Sequence, residues 1–159
     1  MPDARTAGDD QLEELYREVI LDHYRRPRNR GSVTGDGAAT VELQNPTCGD
    51  EIRVSARLEG GRIADLRFEG RGCSISMASA SLMTEALRGR TAQDAVALSA
   101  RFKAMLMGQT IPEAELEGMG DLAALSGVAR FPVRVKCATL AWNAALRALS
   151  GDAAGEADA

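Results

Sequence analysis

The chain has 159 residues, and 19 Lys plus Arg against 23 Asp plus Glu leave it at −4 with its single His neutral. That balance supplies no global basic field to gather phosphates, so nucleic acid is not an expected partner. No stretch approaches the roughly 20 uninterrupted apolar residues of a spanning helix. The opening MPDARTAGDD lacks the basic start and apolar centre of a signal peptide, so a soluble, cytoplasmic protein with no membrane partner is expected. At 45% hydrophobic and 26% charged, the composition is that of one globular domain, and with only 4% aromatic residues its core must be filled by Leu, Val, Ile, Met and Ala.

Residues 1–10 are expected to be a flexible N-terminus, 11–150 the domain, and 151–159 a disordered acidic tail. Leu12, Leu15, Tyr16, Val19, Ile20, His23 and Tyr24 recur at helical spacing over Asp9 to Arg26, with Asp9 or Asp10 as N-cap and Pro27 as the stop. The Gly, Ser, Thr and Asp of residues 29–38 predict a mobile connection. Three strands follow: a short one over Thr40 to Gln44, an alternating one carrying Ile52, Val54, Ala56 and Leu58, and a looser one carrying Ile63, Ala64, Leu66 and Phe68. Gly60-Gly61 predicts a tight hairpin between the last two.

A helix should start near Ser74 and stop at Gly89, with Ile75, Ala78, Leu82 and Ala86 on one face. Thr91 with Asp94 reads as a capping pair for a second helix through Val96, Leu98, Phe102, Met105 and Leu106, ending near Gly108. Residues 109–120 look irregular and acidic, and Asp121 to Leu125 predict a short helix. Phe131 to Lys136 leads into Cys137, after which Leu140, Ala141, Ala144, Ala145 and Ala148 mark a final helix. The order helix, antiparallel meander, helices predicts an α+β domain in which a small three-stranded antiparallel sheet packs on helices in two layers. Met77, Met83, Met105 and Met107 are expected to fill gaps in that core.

Three cysteines are an odd number without an export signal, so reduced thiols are expected. Each sits at a junction between regular structure and loop, among Thr47, Gly49, Asp50, Gly72, Ser74, Lys136 and Thr139 rather than inside an apolar run. The separations of 25 and 64 residues between them are unlike the close pairs of a zinc finger. An antiparallel meander nevertheless puts Cys48 with Asp50 and Cys73 at the same end of the sheet. With Cys137 from the final helix, three thiolates and one carboxylate suffice for a tetrahedral metal site, and a place near a helix N-terminus favours the Cys137 thiolate.

The segments Asn45-Pro46-Thr47-Cys48-Gly49-Asp50, Gly70-Arg71-Gly72-Cys73-Ser74-Ile75-Ser76-Met77-Ala78-Ser79-Ala80-Ser81 and Arg134-Val135-Lys136-Cys137-Ala138-Thr139-Leu140 resemble the iron-sulfur cluster assembly proteins of the IscU/NifU N-terminal superfamily, above all its SufU branch. Leu15-Tyr16, Asp22-His23-Tyr24 and Pro27-Arg28-Asn29 extend the resemblance over residues 11–150. Two departures from the scaffold members point the same way. Lys136 stands where they carry a histidine before the third cysteine, and the span from Cys73 to Cys137 is longer.

The resemblance implies a zinc-bound sulfur acceptor, with Cys48, Asp50, Cys73 and Cys137 on the metal. It also implies a partner, a SufS-type PLP cysteine desulfurase, whose histidine displaces Cys48 from zinc so that Cys48 takes the persulfide sulfur. The sulfur then passes to downstream iron-sulfur assembly proteins, a role nearer to a sulfurtransferase-like carrier and desulfurase activator than to a conventional enzyme. The alternative is a scaffold in which the same residues hold a transient 2Fe-2S cluster. A purely structural zinc-stabilised interaction domain is a third reading.

Asp50, a hard oxygen donor among thiolates, is the natural labile position. His23, beside Tyr24 on the apolar side of its helix, reads as a hydrogen-bonded packing residue. Arg134 and Lys136 either lower thiol pKa values and meet the desulfurase or are solvated loop charges. Arg25, Arg26, Arg28 and Arg30 read as a solvated helix end.

Overall fold

The computed structural model describes residues 7–150, with side chains described from residue 13 onward. The expected flexible start therefore falls outside the described residues over 1–6, and the expected acidic tail over 151–159 does so entirely. Helix α1 spans Ala7–Arg25, beginning inside the stretch expected to be flexible and ending just before Pro27.

Strands β1 (Ala38–Asn45), β2 (Asp50–Glu59) and β3 (Arg62–Arg71) form one antiparallel sheet in the order β1-β2-β3. Gly60 and Gly61 both have positive φ, 59° and 78°, the conformation that lets two residues close a hairpin between right-twisted strands. The register sets Val41 opposite Val54, Leu43 opposite Ile52, and Val54 opposite Phe68, and all of these are buried on one face. On the other face Glu42, Arg53 and Glu69 stand in a row, with Arg53 3.1 Å from Glu42 and 3.6 Å from Glu69.

Helices α2 (Ser74–Leu87) and α5 (Pro132–Ser150) pack on the sheet, while α1 packs on α2 and α3 (Ala92–Leu106) on α5. The expected α+β architecture is thus the observed one. α2 is buried without a break from Ser76 to Thr84, and its Ser and Ala side chains let its neighbours approach on all sides. Trp142 of α5 is fully buried and stacks on Phe102 with ring centroids 4.4 Å apart. Its indole N–H donates to Ser79 Oγ at 3.1 Å, and that hydroxyl donates to Ala138 O at 2.5 Å. Thr91 Oγ1 accepts from Asp94 N at 3.0 Å, the cap expected for α3.

Four expectations change. The 29–38 connection is not loose at its start, because Asn29–Gly31 completes the hydrogen bonding of β3: Gly31 N donates to Phe68 O and Phe68 N to Asn29 O. Residues 109–120, expected to be irregular, contain α4 (Glu113–Gly118), whose acidic first turn suits a helix N-terminus. The helix expected over Asp121 to Leu125 belongs to a 3-10 segment over Gly120–Arg130. Its buried Leu122, Leu125 and Val128 recur every third residue, which matches three residues per turn rather than 3.6. Met77, Met83 and Met105 are buried as expected, but Met107, just past the end of α3, is 70% exposed.

His23 lies in the α1–α2 contact, 3% exposed. Arg28 N donates to Ser81 Oγ at 2.8 Å, which leaves the Ser81 hydrogen to be donated to His23 Nδ1 at 2.7 Å. His23 Nε2 then faces Glu85 at 3.5 Å. Burial, with the Arg28 charge adding to it, holds the His23 pKa below its ordinary value against the pull of Glu85 and Asp22. The unfolded chain therefore binds a proton more readily than the folded one below about pH 6.5, and acidification favours unfolding. The denaturation midpoint is expected to fall between about pH 7 and about pH 5.5, and His23→Asn to flatten this slope. Parallel slopes for the two proteins in urea unfolding would show that His23 is not the titrating group.

Candidate metal centre

The β1–β2 connection is a tight loop. Asn45 O accepts from Cys48 N at 3.2 Å and from Gly49 N at 2.9 Å, and Asn45 pairs with Asp50 across the ladder. Gly49 takes φ +73°, a conformation that L side chains rarely adopt. The turn leaves Cys48 half-buried and puts Asp50, the first residue of β2, at 1% exposure.

β3 ends beside this loop, with Arg71 opposite Glu51, and delivers Cys73 as the N-cap of α2. The Cys73 side chain makes no capping bond; instead its backbone N–H donates to Asp50 Oδ1 at 3.0 Å. The carboxylate thus rests against a helix N-terminus, where the peptide dipoles favour negative charge. Gly72 makes this approach possible: a Cβ there would lie 2.4 Å from Asp50 Oδ1 and 3.1 Å from Ser76 Oγ.

Cys137 comes from further inside α5 than its sequence context predicts. Pro132 opens the helix, a position where proline's fixed φ and missing N–H cost nothing, so Cys137 lies in the second turn rather than at a junction. It is fully buried. Its thiol donates to Cys48 Sγ at 3.2 Å, and Asn45 Nδ2 points at its sulfur from 3.8 Å.

Cys48 Sγ, a carboxylate oxygen of Asp50 and Cys137 Sγ all lie within 4.8 Å of one another. Cys73 stands beside this trio without being one of it, tied to it through its backbone, and its sulfur lies within the electrostatic reach of the exposed Arg134 side chain. The structure therefore brings three of the four expected ligands together and the fourth alongside. None of the three cysteines is in a disulfide, as expected.

The electrostatics call for a cation. Burial pushes the Cys137 thiol far up, and its hydrogen bond with Cys48 and the negative charges of Cys73 and Asp50 push the same way. Three groups that bind metals as anions are confined to one buried corner, and they can all ionise only with a positive charge among them. Asp50 Oδ2 is buried without a hydrogen-bond partner, the condition of a ligand oxygen lacking its metal. Two sulfurs and a carboxylate oxygen, with a third sulfur beside them, are a donor set suited to zinc.

Arg134 is exposed, and the charge of Cys73 above all, with those of Cys137 and Cys48, raises its pKa above the ordinary guanidinium value. Lys136 is exposed on α5. His23 is a packing residue bonded to Ser81, as expected. Arg26 and Arg28 of the expected solvated cluster both pair with Asp22, at 3.0 and 2.6 Å. Sequence reasoning missed Asn45 and Ser76. The first carried a signal, since it opens the same turn as Cys48; the second is one of several serines in a helix, and nothing local distinguishes it.

A family model described as the NifU-like N terminal domain matches residues 15–150. The chain belongs to this family. It is 47% identical over 133 residues to the zinc-dependent sulfurtransferase SufU of Bacillus subtilis (strain 168), covering 84% of this chain and 88% of that protein. It is 44% identical over 143 residues to the iron-sulfur cluster assembly scaffold protein IscU of Streptococcus pyogenes serotype M1, covering 90% and 87%. Among solved structures, a candidate iron-sulfur cluster assembly scaffold protein for the SUF system of Fervidobacterium islandicum AW-1 superposes with a TM-score of 0.76. That structure shares 32% identity and covers 86% of this chain and 98% of its own.

Gly72→Ala tests the notch over Asp50. The added methyl must push the carboxylate aside, so zinc retention in competition with a chelator is expected to fall about tenfold or more while helix content by circular dichroism is kept. Unchanged retention would mean that Asp50 holds no metal in this position.

Proposed function

We propose that this protein is a zinc-dependent sulfur acceptor, which takes persulfide sulfur from a SufS-type PLP cysteine desulfurase and passes it to iron-sulfur cluster assembly. The observation that carries this reading is the convergence of Cys48, Asp50 and Cys137 at the mouth of a turn, with Cys48 more exposed than the other two. Cys48, Asp50, Cys73 and Cys137 are the residues that would hold zinc. When bound, the metal supplies the positive charge that keeps these sulfurs ionised at neutral pH and ties the β1–β2 turn to α5.

The roles of the chain's own residues follow from their positions. Cys137, buried in a helix, is an anchor; Cys48, on a turn between two strands, is the thiol an incoming group can reach. The Cys48 thiolate attacks the terminal sulfur of the desulfurase's cysteine persulfide. The S–S bond of that persulfide breaks, the desulfurase cysteine leaves as a thiolate with the electron pair, and Cys48 becomes the persulfide with no net oxidation. Asp50, expected to be the labile position, has its Oδ1 held by the Cys73 N–H, which supports Cys48 as the exchanging group instead.

A docking surface of the right kind adjoins the centre. A groove of about 810 Å³ lined by Tyr16, Ile20, Ile75, Phe131 and Arg134 opens next to Cys73, and Phe131 and Val133 are 59% and 58% exposed. Exposed apolar side chains near the metal centre fit a macromolecular sulfur donor better than a small one. Among the described residues no helix is long and apolar enough to cross a membrane, and three reduced thiols fit a cytoplasmic setting.

Two measurements test the reading. Cys48→Ser is expected to keep the fold but to lose persulfide loading and stimulation of the desulfurase, and undiminished stimulation would sink the assignment. Protein purified without oxygen is expected to carry about one zinc per chain, and removing it should abolish stimulation. Iron with acid-labile sulfide in place of zinc, transferable as a cluster to an apo-protein, would establish the scaffold reading instead.

A further inference from the structure

Helix α2 buries four hydroxyl side chains, Ser76, Ser79, Ser81 and Thr84. Three of them are bound within the fold. Ser79 bridges Trp142 and Ala138, Ser81 bridges Arg28 and His23, and Thr84 donates to Ser81 O at 2.7 Å. Ser76, 1% exposed, has no partner for its Oγ. A buried hydroxyl left unpaired is costly, so a helix that satisfies its other buried hydroxyls has reason to satisfy this one.

The missing partner is close by. The point that a Cβ on Gly72 would occupy is 3.1 Å from Ser76 Oγ and 2.4 Å from Asp50 Oδ1, so hydroxyl and carboxylate border the same notch, which only glycine leaves open. Asp50 is itself underbonded: Oδ1 accepts from Cys73 N, while Oδ2 is buried without a hydrogen bond. Ser55 and Ser99 also lack partners, but Ser76 is the one that shares the Gly72 notch with Asp50.

We infer that Ser76 is a positioning residue for the metal centre, its hydroxyl donating to the Asp50 carboxylate across the Gly72 notch. The inference rests on Asp50 being a metal ligand, not on sulfur transfer. The bond requires the Ser76 side chain to turn its hydroxyl toward the carboxylate. Asp50 is then gripped by two donors from the first turn of α2, the Cys73 N–H and the Ser76 O–H, and presents its remaining lone pairs to the cation. Removing such an outer partner costs about 10- to 100-fold in metal affinity.

The test is a double-mutant cycle on zinc affinity, measured on the full chain by competition with chromophoric chelators, using Ser76→Ala, Asp50→Ala and the pair. Ser76→Ala alone is expected to weaken zinc about tenfold. In the Asp50→Ala background the same change should cost nothing further. Equal zinc affinity in parent and Ser76→Ala, or an equal loss with and without Asp50, would each overturn the inference. A parent that fails to hold zinc would instead overturn the metal-centre reading, and loss of sulfur transfer with zinc binding intact would touch neither.

Discussion

A carboxylate at the start of a strand and the N-terminus of a helix meet at Asp50, and the rest of the site depends on that contact. The Asp50 Oδ1 to Cys73 N bond joins residues on β2 and α2 that are 23 positions apart. It does what a capping side chain would do for α2, whose own N-cap side chain makes no such bond. Because it fixes the end of β2 against the start of α2, it also fixes how the β1–β2 turn presents Cys48 to Cys137. The contact needs a residue without a side chain at position 72, since any Cβ there would occupy the space of the carboxylate.

The same corner is electrostatically incomplete by itself. Cys48, Asp50 and Cys137 crowd their donor atoms within 4.8 Å, and burial raises the Cys137 pKa and so disfavours its thiolate. A cation resolves this at a stroke, so metal affinity and folding are coupled here: ligands on a turn, a strand end and a distant helix converge only when the chain is folded. The core supports the arrangement from behind. Trp142, one turn and a half beyond Cys137, is locked by Phe102 on one side and Ser79 on the other, which holds α5 against α2 and with it the depth of Cys137.

Most of the fold could be read from local patterns. Alternation at Ile52, Val54 and Ala56, the Gly60-Gly61 turn, the stop at Pro27 and the Thr91 cap each rest on interactions a few residues long, and each is found in the structure. The readings that changed are those where a distant partner decides. Asn29–Gly31 has loop composition but lies along β3 because that strand needs hydrogen-bond partners. Leu122, Leu125 and Val128 could have been read as a 3-10 period, but in a short window that pattern is easily taken for an α-helical one. Met107 has the composition of a core residue and stands exposed because α3 has ended before it.

By itself, the sequence determined the fold class, the turns, and the placing of Cys48, Asp50 and Cys73 at one end of a meander, because strand pairing and turn chemistry are local and the hairpin geometry follows from them. Only the tertiary structure decided that Cys137 is buried and Cys48 is not, that Cys73 stands beside the trio with its N–H on Asp50, and that Ser76 and Asp50 border the same space over Gly72. Those outcomes depend on contacts such as that of Asn45 with Cys137, 92 residues apart. Burial and ligand geometry are properties of the packed whole, and no pattern within a few residues of Ser76 or Cys137 encodes them.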